Sequence, residues 1–196
     1  MELTIFYGAE PIGTLIGQRE GLFWNFSCNF EKKPERPLRI YVLTGLTSEY
    51  IGIPDADGQL SARIAARHFT AEPSGAVASE YPRSEWTPWR GELDGVAVDF
   101  CLLRRTDDGN TVAFPPEEAV KFPQWLDGMT QITAFGRQWA SVALDGDGHL
   151  PPRDTEHGGT EDETITGNFA DGDVLVDTAA ADGFGEDGRE ADRSDL

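Results

Sequence analysis

The residues best equipped for chemistry are two cysteines, Cys28 and Cys101, and three histidines, His68, His149 and His157. A cysteine nucleophile needs a neighbouring base and a lowered pKa. Cys28 alternates in phase with Trp24, Phe26 and Phe30, which places it on a core face. Cys101 shares a face with Ala97, Asp99 and Leu103, and a pairing of either cysteine with His68 is the nucleophile–base arrangement that the sequence leaves open. A structural zinc site wants four ligands, usually with a closely spaced cysteine pair. Two isolated cysteines and three isolated histidines do not supply that pattern. Both cysteines therefore read as free, buried thiols.

The carboxylates offer two fragments of calcium-loop pattern, Asp55-Ala56-Asp57-Gly58 and Asp145-Gly146-Asp147-Gly148. A full loop needs Asp or Asn at its fifth position and Glu at its twelfth. The fifth position is Gln59 in one and His149 in the other; the twelfth is Ala66 and Glu156. These read as a hairpin turn and as tail. The pairs Asp94 with Asp99 and Glu117 with Glu118 have the residue types for glycosidase-type catalysis, which needs two carboxylates across a cleft. Nothing in their spacing sets such a geometry, and a charged face or helix start accounts for them. No phosphate-binding, dinucleotide-binding, nucleophile-elbow or zinc-protease motif occurs. The sequence thus assigns no catalytic residue, no metal ligand and no cofactor.

One cluster invites a binding role. Tyr81, Trp86 and Trp89 lie in or beside a proline-rich stretch. Tyrosine and tryptophan anchor interfaces because they offer large contact area at low entropic cost. These three are the candidate partner-binding residues; the competing reading tucks the tryptophans back into the core.

Net charge excludes other classes of partner. Of 196 residues, Asp and Glu total 35 and Lys and Arg 16, a net of −19. The basic clusters go no further than Lys32-Lys33 and Arg104-Arg105. Nucleic-acid binding requires a basic footprint, and anionic lipid repels an acidic surface. Apolar runs are strand-sized, well short of the roughly 20 residues that span a bilayer. The first residues, Met1-Glu2-Leu3-Thr4, lack the basic start and apolar run of a secretory signal. A cytoplasmic location is expected.

These residues are carried on short alternating segments. Strands are expected at 2–7, 12–17 and 22–30, separated by Gly- and Pro-bearing turns. In the third, Leu22, Trp24, Phe26, Cys28 and Phe30 form one face. A polar loop, 31–37, leads to strands at 38–45, 50–53 and 60–66. Residues 70–90, rich in proline and poor in aliphatics, read as a long connection joining possible subdomains 1–69 and 91–145. A strand at 91–105 returns at 111–114. Pro115-Pro116-Glu117-Glu118 opens one short helix near 116–126, interrupted by Pro123. A closing hairpin spans 130–135 and 138–144. The fold expected is mainly β, an antiparallel meander forming a small sandwich or barrel.

From about residue 146 the composition changes. Residues 1–144 carry 19 acidic and 13 basic side chains; residues 145–196 carry 16 and 3. A segment so poor in apolar groups cannot offset its chain entropy, so 146–196 is expected to be a disordered acidic tail. Its one apolar island is Val174-Leu175-Val176.

The stretch Gly13–Phe30 (GTLIGQREGLFWNFSCNF), followed by Arg39-Ile40-Tyr41-Val42 and the short Gly52-Ile53-Pro54 segment, resembles the N-terminal part of an uncharacterised β-rich family from anaerobic gut bacteria of the Clostridia. Phe114-Pro115-Pro116-Glu117 and Gln131-Ile132-Thr133 resemble its later part. The resemblance covers 1–69 and, more loosely, 91–144, and rests on turn glycines and core aromatics. It implies the β fold and carries no activity.

Three functions fit these readings. The first is a non-enzymatic protein-binding or adaptor module. The second is a hydrolase of unrecognised type using Asp or Glu. The third is an acidic decoy that engages a basic partner through its tail.

Overall fold

The computed structural model describes residues 1–30 and 34–152. The expected disordered tail, with its Val174-Leu175-Val176 island and His157, falls almost wholly outside the described residues.

Alternation of large apolar and polar side chains builds the first hairpins. Strands β1 (Glu2–Tyr7), β2 (Glu10–Glu20) and β3 (Phe23–Phe30) pair antiparallel in succession. Gly8 and Gly21 make their turns at φ +59°, which costs glycine little. Trp24, Phe26, Cys28 and Phe30 are buried on one face as expected, but Leu22 lies in the turn and is 79% exposed. Strands β4 (Arg39–Thr44), β5 (Thr47–Gly52), β6 (Gln59–Ala65) and β7 (Gly75–Ser79) complete a seven-stranded sheet in the order β5-β4-β7-β1-β2-β3-β6. The sheet curls until its edges nearly meet: a Cβ on Gly52 of β5 would lie 2.6 Å from Leu60 of β6. The barrel-like interior holds Ile5, Leu15, Phe26, Ile40 and Phe69.

The expectation of a long connection over 70–90 is corrected here. β7 sits inside the sheet, antiparallel to β4 and parallel to β1, so the sheet is not a simple meander. Ala76, Val77 and Ala78 are fully buried. Val77 faces one core while Ala76 and Ala78 face the other. A strand covered on both faces needs no polar alternation, and small residues leave little pattern to read.

The second sheet is antiparallel throughout, in the order β11-β12-β10-β9-β8. Its strands are β8 (Trp86–Leu93), β9 (Val96–Thr106), β10 (Gly109–Phe114), β11 (Thr130–Ala134) and β12 (Arg137–Ala143). Between β10 and β11 the helix α1 spans Pro116–Ala119, and a 3-10 turn follows at Leu126–Gly128, with Pro123 between them. Tyr41 and Leu43 of β4 join Val77 in one core with Trp89, Val98, Phe114 and Phe122. Residues from 1–69 and from 91–145 thus share a core. β4 and β7 separate it from the barrel interior, and the second sheet packs against their outer face. Each fully buried aromatic such as Phe114 or Phe122 contributes on the order of 2–3 kcal/mol.

The folded region also runs past residue 145. In the second Asp-x-Asp-Gly segment, Asp145 Oδ1 accepts the N–H groups of Asp147 and His149 at 3.0 and 2.8 Å. Asp55 Oδ1 does the same for Asp57 and Gln59, at 2.9 Å each. Both carboxylates hold turns closed. Leu150 is then buried in the second core, and Pro151 accepts the Trp125 indole N–H at 3.0 Å. Leu150 and Pro151 thus fasten this strap.

Among the described residues, no helix is long and apolar enough to cross a membrane.

Candidate functional site

β-Bulges place the polar side chains of the site. The β8–β9 ladder shifts between Trp89 and Gly91, so two residues of β9, Asp99 and Phe100, stand opposite Arg90 alone, and Asp99 lacks a register partner on β8. β1 shifts likewise between Ile5 and Phe6. The Arg90 guanidinium lies 3.4 Å above the Phe6 ring centroid and 3.7 Å from Asp99. Burial pulls the Arg90 pKa down from its ordinary value, with Asp99 and Glu118 opposing that shift. The unpaired Asp99 N–H is taken up by Glu118 Oε2 at 3.0 Å. Glu118 reaches it because Pro115 and Pro116 start α1 there and turn its third residue inward.

Beside this point lies a cleft of about 310 Å³. The β1–β2 turn and the end of β7 supply Tyr7, Glu80 and Tyr81 on one side. The other side is β9, β12 and the entry to α1, with Asp99, Glu117, Glu118 and Arg137. Phe100 and Trp139 line the cleft between them. Trp139 is 1% exposed and its indole N–H is satisfied by the Ala134 carbonyl at 2.9 Å. Tyr81 meets Trp139 edge-on at 5.7 Å between centroids and stacks on Phe135 at 4.9 Å. Arg137 Nη1 donates to the Tyr81 hydroxyl at 2.9 Å, holding the ring in place.

The charged groups of the cleft are mostly paired. Lys121 Nζ donates to Asp99 Oδ2 and to both oxygens of Glu118, at 2.9 to 3.0 Å. Burial works against the Lys121 ammonium, but these hydrogen bonds and charges win and raise its pKa. Arg36 bonds Glu80 at 2.8 Å. Tyr7 has its pKa raised by burial and then by the Glu80 carboxylate. Glu117 is exposed and, among the described residues, makes no ion pair.

The structure parts Trp89 from the other two candidate aromatics, which pack against one cluster of Leu102, Ala113 and Trp139. Tyr81 lines the cleft. Trp86 is half-buried on the outer face of the second sheet, with the Arg104 guanidinium 4.8 Å above its ring. Trp89 is 4% exposed and donates its indole N–H to the Gly45 carbonyl at 2.7 Å, so it anchors the core and offers no surface to a partner. Close packing fixes it there: a Cβ on Gly91 would come within 2.6 Å of its ring.

The other chemistry-bearing residues disperse. Cys28 lies in the barrel core and Cys101 in the second core. Burial pushes the Cys28 thiol up to about 11, and burial also raises Cys101 well above its ordinary value. His68 is exposed, 3.7 Å from Glu49. Asp94 is not beside Asp99; it binds His149 and the Leu150 N–H. Glu117 and Glu118, read from the sequence as a helix start, both line the cleft. The residues missed outright are Phe100, Lys121, Arg137 and Trp139. Phe100 lies on β9, Arg137 and Trp139 on β12 and Lys121 just after α1; these segments were legible, but no local signal shows that they converge. Among the described residues, no group of three or more His, Cys, Asp and Glu side chains is placed to hold a metal ion.

Comparison with protein-family models, with curated proteins and with solved structures returns no match.

Proposed function

We propose that the protein is a non-enzymatic binding module that takes part of another protein into the cleft between its two sheets. The observation that carries this reading is the pairing of the cleft's charged groups. Lys121 spans Asp99 and Glu118, Arg36 holds Glu80, and Arg137 holds Tyr81. Groups fixed in this way present a preformed recognition surface beside aromatic rings. Acid–base or nucleophilic catalysis would instead ask one of them to leave its partner and meet a substrate. A volume of about 310 Å³ lies at the small end of ligand pockets and suits one or two side chains. The Clostridial resemblance adds the fold to this reading and no activity. A cytoplasmic setting, where both buried thiols stay reduced, is in keeping with it.

One observation favours the hydrolase reading: Glu80 and Glu117 line opposite sides of a single cleft. Two carboxylates across a cleft are the minimum for glycoside hydrolysis. Turnover of a glycoside panel that disappears in Glu117→Gln would select it. The acidic-decoy reading rests on residues beyond those described and is tested by deleting them.

The deciding experiment is capture from native lysate with the full chain, its Tyr81→Ala variant and its Trp86→Ala variant, read by mass spectrometry. The cleft reading expects a partner held by the native chain and by Trp86→Ala and lost by Tyr81→Ala. Equal retention by all three, with circular dichroism unchanged, would refute it.

A further inference from the structure

The cleft offers one carboxylate outside the ion pairs of the described residues, Glu117, beside aromatic ring faces, and that combination identifies the chemistry of its occupant. Resting on the binding-module reading above, we infer that the cleft receives a cationic side chain, lysine or arginine, from a basic partner protein. Four carboxylates line it, those of Glu80, Asp99, Glu117 and Glu118, against the single guanidinium of Arg137. The cations that pair with them, Arg36, Arg90 and Lys121, are not among the lining residues. Glu80, Asp99 and Glu118 are held by those cations, so Glu117, which makes no ion pair among the described residues, is the carboxylate left for a group inside the cleft. Arg137 is itself tied to the Tyr81 hydroxyl.

The aromatic residues favour the same occupant. Tyr7 is 38% exposed, and Tyr81 and Phe100 are half-buried. A ring face carries negative potential and attracts an ammonium or guanidinium group. The aliphatic stem of a lysine or arginine packs on Phe100 and Tyr81 while its head reaches Glu117, as such side chains do at other amphipathic surfaces. Charge complementarity extends beyond the cleft. The whole chain carries −19, and its first 144 residues are also net negative. That field steers a basic partner toward the cleft and slows an acidic one.

The test is a titration of the full chain with N-acetyl-lysine N-methylamide, followed by NMR at the ring signals of Tyr81, Phe100 and Trp139. N-acetyl-norleucine N-methylamide serves as the neutral probe of equal length. The expected result is saturable shifts confined to the cleft, with the lysine probe about tenfold tighter than the norleucine probe. Glu117→Gln, a conservative change at an exposed position, weakens the lysine probe several-fold and leaves the norleucine probe unchanged. Equal binding of both probes overturns the inference while leaving the cleft as a binding site. Lysine-induced shifts scattered over the acidic surface and missing from the cleft rings overturn the inference and count against the cleft itself. Silence from both probes also overturns the inference, and the capture experiment then decides the cleft separately.

Discussion

Lys121 donates to both carboxylate oxygens of Glu118, at 2.9 and 3.0 Å, although Glu118 has only 8% of its side chain exposed. The arrangement follows from the β9 bulge opposite Arg90, which leaves the Asp99 N–H for Glu118 to accept. A buried carboxylate needs a counter-charge as well as hydrogen bonds. Lys121→Met removes the ammonium and leaves Glu118 with the Asp99 amide alone. Because Lys121 is itself about a third exposed, the expected loss is about 2 kcal/mol, below that of a fully buried pair. Adding Glu118→Gln recovers part of it, since the neutral amide no longer requires the cation. Urea unfolding of the single and double variants measures both effects; a single-variant change under about 0.5 kcal/mol would sink this account.

A second ion pair makes the strap at residues 145–152 sensitive to pH. His149 Nδ1 lies 2.6 Å from Asp94 Oδ1, and Asp94 Oδ2 accepts the Leu150 N–H at 2.8 Å. The Asp94 hydrogen bond and charge raise the His149 pKa, with Asp145 and Asp147 adding smaller effects. A histidine raised in the folded state adds stability that is complete below its ordinary value of 6.5 and is lost as pH rises through the raised one. The difference in Tm between the native chain and His149→Ala is therefore largest in mild acid and shrinks above neutrality. A difference that is flat from pH 5 to pH 9 would contradict the pairing.

The thiols give a simpler test. With its pKa near 11, Cys28 is thiolate in roughly one molecule per thousand at pH 8, and burial raises the Cys101 pKa well above its ordinary value too. Iodoacetamide at pH 8 is expected to leave both unmodified in the folded protein and to alkylate both in 8 M urea, as read by mass spectrometry. Rapid alkylation of either in the native state would reopen cysteine chemistry.

Much of this molecule was legible because its strands alternate. Trp24, Phe26, Cys28 and Phe30 announce a strand with one covered face, and all four are buried. Turn glycines and Pro115-Pro116 set the reversals and the helix start by local sterics. The same logic fails where a segment is covered on both sides. β7 is built of Gly75, Ala76, Val77, Ala78 and Ser79, and it passes for a connection until the sheet forms around it. Trp89 fails for another reason: proline and tryptophan at a segment boundary look alike whether the indole finds a core or a partner, and the Gly45 carbonyl decides it.

The sequence by itself determined that the chain is acidic, that it folds mainly as β-structure and where most strands begin and end. These depend on local backbone preference and on side chains one strand spacing apart. The tertiary structure alone decided that β7 lies parallel to β1, that two cores meet across β4 and β7, and that Asp99 and Glu118 share one cation while Asp94 holds His149. Those relations join residues tens of positions apart in the chain. They depend on the closure of a curled sheet against its partner, which no local pattern encodes.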